Sequence, residues 1–194
     1  MSVEGRLEVG MSVDTRRIEI ATRELLVALG EDLEREGLKD TPHRVAKFWK
    51  EFLSPKPPVC RVFSERYDDL VIMRGIPVHS ICEHHLLPFF GEATVGYVAA
   101  NRLVGLSKIV RIVTSFSQRL QMQERLTNQI ADYLYEKLQP EGVAVLIEAL
   151  HLCMVYRGVK VEGAKTITSA MRGAFLENDA LRAEFLTLAC KKEG

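Results

Sequence analysis

The 194-residue chain has no excess of either charge: 26 Lys and Arg stand against 26 Asp and Glu. That balance argues against a protein organised around nucleic-acid or membrane electrostatics and leaves only local basic patches to consider. No apolar run approaches the roughly 20 residues that span a bilayer. The opening MSVEGRLEVG carries Glu4 and Glu8 and lacks the apolar core of a signal peptide, so a cytoplasmic protein is expected. No Gly-x-x-x-x-Gly-Lys-Ser/Thr segment is present, so any phosphate would be held by something other than a P-loop. Cysteine is scarce, with four residues. In a reducing compartment each is a packed thiol, a ligand or a nucleophile rather than half of a disulfide. Cys60 and Cys190 have no histidine or acidic cluster around them and read as packed thiols.

What is present is a core. Hydrophobic residues make up 47% of the chain, enough for one domain of ordinary size or a smaller core with a helical attachment. After a short leader (1–13), Ile18, Ala21, Leu25, Leu26 and Leu29 recur at helical spacing, and Gly30 and Gly37 are stops. A second helix starts at Asp40 or Thr41, with Pro42 in its first turn and Val45, Ala46, Phe48, Trp49 and Phe52 directed inward. The run SPKPPV (54–59) is a connector. From about Asp69 the pattern becomes β-rich: LVIMRGIPVHS and EATVGYVAA are strands. Residues 106–138 are helical with a break near Gln121–Gln123, and Ser107 is a candidate cap. GVAVLIEALHLCMVYRG and AKTITSAMRGAF are two further strands. A short helix follows Asn178 and Asp179. The order is helical region (1–68), then β-β-α-α-β-β and a helix (69–194). That is α+β, an antiparallel sheet with helices on one face.

Acid–base and sulfur chemistry gathers at two places in apolar sequence. SICEHHLLPF (80–89) puts two residues between Cys82 and His85, a gap that lets one tight turn aim thiolate and imidazole at one point. About seventy residues later, EALHLCM contains His151 and Cys153. Read as strand, positions i and i+2 share a face, which would bring both side chains into one pocket. Cys82, His85 and Cys153 form a Cys2His set, the type that holds catalytic zinc with water in the fourth position. A closed structural site, with His84 or His151 as fourth ligand, satisfies the same spacing. An open position would lower the pKa of bound water towards ~7 and leave the remaining histidines to move protons.

Two further groups carry chemistry. Arg44 and Lys47 lie three apart on the second helix, Lys108 and Arg111 three apart on the third, and Arg157 follows the second cluster. Each can be a solvated surface charge, and together they can hold a polyphosphate. The pair Gln123–Glu124 reads as helix surface or, if a carboxylate is turned inward, as a partner for the two donors on guanine's edge.

Taken together, the chain resembles GTP cyclohydrolase I. The resemblance is carried by GLKDTPHRVAK (37–47), SICEHHLLPFFGEATVGY (80–97), VGLSKIVRIV (104–113), RLQMQERLTNQIA (119–131), GVAVLIEALHLCMVYRGV (142–159) and TITSAMRGAF (166–175). It implies a tunnelling fold with residues 69–194 as catalytic domain, assembled as a homodecamer of two stacked pentameric rings. It implies that GTP and water give 7,8-dihydroneopterin triphosphate and formate, the first step towards folates or biopterin. It implies zinc (Zn2+) on Cys82, His85 and Cys153, with His84 and His151 as acid–base groups and Ser107 near the ribose. Gln123 and Glu124 match guanine recognition. Arg44, Lys47, Lys108, Arg111 and Arg157 match triphosphate contacts.

Overall fold

Two periodicities divide the chain, helical from Thr15 to Phe52 and strand-rich from Leu70 onward. The computed structural model describes residues 13–56, 62–65, 67–100 and 102–190; the thiol of Cys60 and the leader up to residue 12 lie outside them. The chain falls into two compact units, one ending at Pro55 and the other beginning at Lys56. Among the described residues no helix is long and apolar enough to cross a membrane.

The first unit holds α1 (Thr15–Ala28) and α2 (Thr41–Phe52). Asp14 caps α1 by accepting from the Arg17 amide. Past its end Gly30 takes φ 80°, a left-handed conformation natural for glycine. Pro42 and Ala46 are buried on α2. The apolar stripe of α1 is not buried as its spacing predicts: Leu25 and Leu29 are exposed, and Ile18 and Leu26 are half-buried. Periodicity marks the apolar face of a helix but not what covers it.

The second unit is built on a five-stranded sheet. Its strands are β2 (Leu70–Cys82), β3 (Pro88–Val98), β5 (Leu120–Gln121), β6 (Gly142–His151) and β7 (Lys165–Gly173), ordered β5-β2-β3-β6-β7. All pairings are antiparallel except that of β5, which runs parallel to β2. A bulge between Met73 and Ile76 bends β2, and Gly75 supplies the positive φ of 67° that it needs. A small second ladder joins β1 (Val62–Phe63) to β4 (Leu103–Val104).

Alternation along β6 explains both faces of the sheet. Val143, Val145 and Ile147 are fully buried on the side covered by α4 (Gln123–Leu138), whose Thr127 and Asp132 bond to Thr168 and Arg172 of β7. The preceding helix, α3 (Leu106–Ser117), packs against β2 and buries Ile109, Ile112, Val113 and Phe116. On the opposite face Ala144 and Leu146 pack with Val98, Phe175 and Phe185. Phe175 belongs to α6 (Ala174–Glu177) and Phe185 to α7 (Asp179–Cys190), the helix that Asn178 caps through the Leu181 amide. The two long helices therefore share one face, and the C-terminal helix covers part of the other. Cys190, expected to be packed, ends α7 exposed.

Candidate metal centre and active site

The site forms where the sheet's ladders run out. β2 ends at Cys82 and β3 begins at Pro88, so five residues must reverse the chain. The reversal is closed by bonds from the Cys82 amide to Leu87 O and from the Leu86 amide to Cys82 O, each 2.9 Å. Leu86 takes φ 54° to allow it. β5 steadies the turn from the side, with the Glu83 amide donating to Gln121 O. Both carboxylate oxygens of Glu83 accept from Arg125 on α4 at 2.7 Å. That two-pronged bond holds the Glu83 carboxyl below the ordinary carboxylate range.

Cys153 arrives by a different route from the expected one. The strand reading of HLCM, with His151 and Cys153 on one face, is corrected: β6 ends at His151 and α5 (Leu152–Val155) follows. The reason lies in the neighbours. His151 pairs with Phe89, next to the first residue of β3, and Leu150 pairs with Lys165, the first residue of β7. Beyond those positions the β6 backbone has no strand to bond, and it closes on itself through the Tyr156 amide and Leu152 O.

The result is convergence. One ligand atom from each of Cys82, His85 and Cys153 lies within 4.8 Å of the others. His85 Nδ1 is 3.8 Å from Cys82 Sγ, close to the roughly 3.5–3.8 Å separating donors around one tetrahedral zinc. Neither His84 nor His151 joins this mutually close group. Burial pushes the Cys153 thiol up, and Cys82 nearby adds to it. Two sulfurs this close together suit a cation, which offsets the charge of both as thiolates. By donor type and spacing the residues fit zinc.

His84 is exposed, with Nδ1 3.8 Å from Cys82 Sγ. His151 is half-buried, stacked on Phe89 and bonded through Nε2 to Gln123 Oε1 at 2.7 Å. Burial lowers its pKa, against the opposing charge of Glu124. The Gln123–Glu124 pair divides. Gln123 is 1% exposed and committed to the sheet and His151, while Glu124 is exposed on the same turn.

Ser107 does not cap α3. Gly105 holds that position with extended backbone, and exposed Ser107 falls inside the first turn. The chain turns into the helix earlier than the serine suggests.

The basic residues fall in both units. Arg157 Nη1 contacts His85 Nε2, which brings one guanidinium to the metal group. Lys108 and Arg111 lie on α3, the first half-buried and the second exposed. Arg44 and Lys47 lie in the first unit, where Arg44 meets Asp40 at 3.6 Å and Lys47 meets Glu51 at 4.0 Å.

Four contributors escaped the sequence reading: Arg125, Thr127, Thr168 and Phe89. Arg125 directly follows Gln123–Glu124 and pairs with the acid inside the CEHH run, a signal available in principle. The threonines and Phe89 carry no such mark, because their roles come from strand register.

The family model for GTP cyclohydrolase I matches residues 18–190. GTP cyclohydrolase 1 of Sulfurihydrogenibium sp. is 53% identical over 180 residues, covering 92% of this chain and 96% of its own. The enzyme of that name from Carboxydothermus hydrogenoformans is 52% identical over 182 residues, covering 91% and 95%. The one from Aquifex aeolicus is 48% identical over 180 residues, covering 92% and 98%. Among solved structures, the archaeosine synthase QueF-Like in the apo form aligns with a TM-score of 0.47 at 16% identity, covering 56% of this chain and 98% of that one.

Proposed function

Because this chain belongs to the GTP cyclohydrolase I family, we propose that it opens the imidazole ring of GTP by hydrolysis, releases formate and yields 7,8-dihydroneopterin triphosphate. The single observation that carries the chemistry is the convergence of Cys82, His85 and Cys153 within 4.8 Å. In this reading they hold zinc, which when bound supplies the Lewis acidity for hydrolysis at C8 of the purine.

The remaining work belongs to side chains. His151, beside the metal group, protonates N7 and so makes C8 electrophilic. His84, exposed next to Cys82, moves protons in the later steps, in which the ribose opens, rearranges and closes onto the freed amine. The Glu124 carboxylate accepts from guanine N1–H and the exocyclic amine. Lys108, Arg111 and Arg157, with Arg44 and Lys47, hold the triphosphate and restrain the ribose during that slow sequence, with Ser107 near the sugar.

Residues 69–194 act in this reading as a tunnelling-fold catalytic domain of a cytoplasmic homodecamer, two stacked pentameric rings, with some phosphate contacts from an adjacent subunit. The uncovered stripe of α1, including Leu25 and Leu29, supports burial between subunits.

The test is direct. Zinc-loaded protein incubated with GTP is expected to release one formate per GTP and a product that becomes a fluorescent pterin on oxidation, at a mass in solution of ten chains. Binding of GTP without formate would overturn the hydrolytic reading.

A further inference from the structure

Gln123 stands at the start of α4 with its side chain directed at the sheet, and the direction of each of its hydrogen bonds can be assigned, two amide protons being shared among three acceptors. Its Nε2 lies 3.0 Å from Ile147 O, 2.9 Å from Thr166 O and 3.1 Å from Thr168 Oγ1. Two of those atoms are carbonyl oxygens, which only accept. The third is settled by the threonines. Thr127 Oγ1 donates its one proton to the backbone oxygen of Gln123 at 2.7 Å. In its 2.6 Å contact with Thr168 it must therefore accept, and Thr168 donates. With that proton used, Thr168 faces Gln123 as an acceptor.

All three neighbours of the amide nitrogen thus demand a donor, and the amide oxygen is left facing His151. Turning the amide over would set its oxygen against three acceptors. An amide oxygen donates nothing, so the proton in the 2.7 Å contact sits on His151 Nε2. In a neutral imidazole the lone pair is then on Nδ1, so Nδ1 is the nitrogen that must first take up a proton before the ring can pass one to N7. Phe89 fixes the plane of the ring by stacking at 4.6 Å and 8°.

We propose that Gln123 is a positioning residue for His151 and not a reader of the guanine edge: it holds the imidazole as the Nε2–H tautomer and leaves Nδ1 as the ring nitrogen for substrate. Neighbouring residues of α4 then serve two ends, Glu124 the base and Gln123 the histidine. This rests on the reading of the site as the GTP-hydrolysing centre.

The experiment uses zinc-loaded, full-length protein with 15N-labelled histidine, the His151 signal being assigned with His151→Gln. Wild type is expected to show His151 as the Nε2–H tautomer; an Nδ1–H signal would overturn the proposal, whether or not the protein turns over GTP. Gln123→Met is expected to lower kcat by about 10–100-fold, leave KM for GTP within about twofold and leave the preference for GTP over inosine triphosphate unchanged. A raised KM with unchanged kcat, or a changed preference between those nucleotides, would mean that Gln123 contacts the base and would sink the idea. Should Gln123→Met not fold, Thr168→Val removes one acceptor without touching His151. It is expected to lower kcat by roughly 3–10-fold, with recovery in Thr168→Ser; equal rates in both would count against the network. Wild type that shows the tautomer but no formate would leave the hydrogen-bond assignment standing and remove the catalytic reading beneath it.

Discussion

Phe89 and His151 face each other across the β3–β6 pair as registered partners, their rings nearly parallel at 8° with centroids 4.6 Å apart. Phe89 is fully buried, so its ring is a fixed wall for the imidazole. Replacing it with leucine keeps most of the volume and removes the flat surface. Phe89→Leu is expected to cost about 1 kcal/mol of stability and to lower kcat several-fold at unchanged zinc content, read by denaturant melts, metal analysis and formate release.

Cys153 supplies one of two sulfurs to the donor group and sits in α5, outside any strand ladder. Cys153→Ser keeps the size and hydrogen-bonding of the residue while removing a soft ligand. Zinc affinity is expected to fall by more than about 100-fold, since changes one shell further out already cost roughly 10–100-fold. Turnover is expected to disappear with the metal. Full activity in a metal-free variant would remove the assignment.

Glu124 is exposed beside buried Gln123. If its carboxylate receives both donors of guanine, Glu124→Gln loses a charge-assisted pair worth roughly 1.5–3 kcal/mol, or about 10–150-fold in kcat/KM for GTP. Inosine triphosphate, lacking the exocyclic amine, is expected to lose less. Equal losses on both nucleotides would count against the contact.

The Glu83–Arg125 bridge has a direction in pH. Its carboxyl is depressed in the folded protein, first by the Arg125 hydrogen bonds. The stabilisation is therefore complete above the unfolded glutamate value of about 4.3 and is lost as pH falls through the lower folded value. Both side chains are partly exposed, at 40% for Arg125 and 29% for Glu83, so solvent limits the pair to roughly 0.5–1 kcal/mol. Wild type and Arg125→Met are expected to differ in urea stability at pH 7 and to converge as pH falls through the depressed folded value of Glu83. A difference that persists unchanged into acid would show the arginine acting through packing.

Much of this site is legible in the sequence because covalent distance does the work. Cys82 and His85 lie within one reversal of the chain, and no tertiary fact is needed to bring them together. The route of Cys153 is not legible, because β6 stops only where Pro88 and Lys165 start its neighbours. Gln123 reads as helix surface until the acceptors of β6 and β7 are known to lie beneath it. Ser107 is a good capping residue two positions too late, since Gly105 holds the cap. The order of strands and helices along the chain is legible from alternation and helical spacing, but the parallel edge strand β5 is not, and the exposed stripe of α1 shows that an apolar face says nothing about which surface meets it.

Gly91 shows how close the central strands approach. A Cβ built there lies 1.9 Å from Glu148 O and 2.6 Å from Ala149 Cα, both backbone atoms that cannot step aside. Gly91→Ala is expected to destabilise the protein by about 1–3 kcal/mol or more and to loosen zinc through the displaced end of β6, measured by thermal melts and chelator competition.

The corner of the sheet that carries Cys82, His85 and Cys153 is its least stitched part, since the strands that lead there end or begin within a few residues of it. An ion gripped by those side chains would act as a rivet through three otherwise loose hems of fabric. Amide exchange at Glu83–Leu87 and Leu152–Tyr156 would then slow on loading, while the far selvedge, where Val98 and Gly142 lie paired, would register nothing.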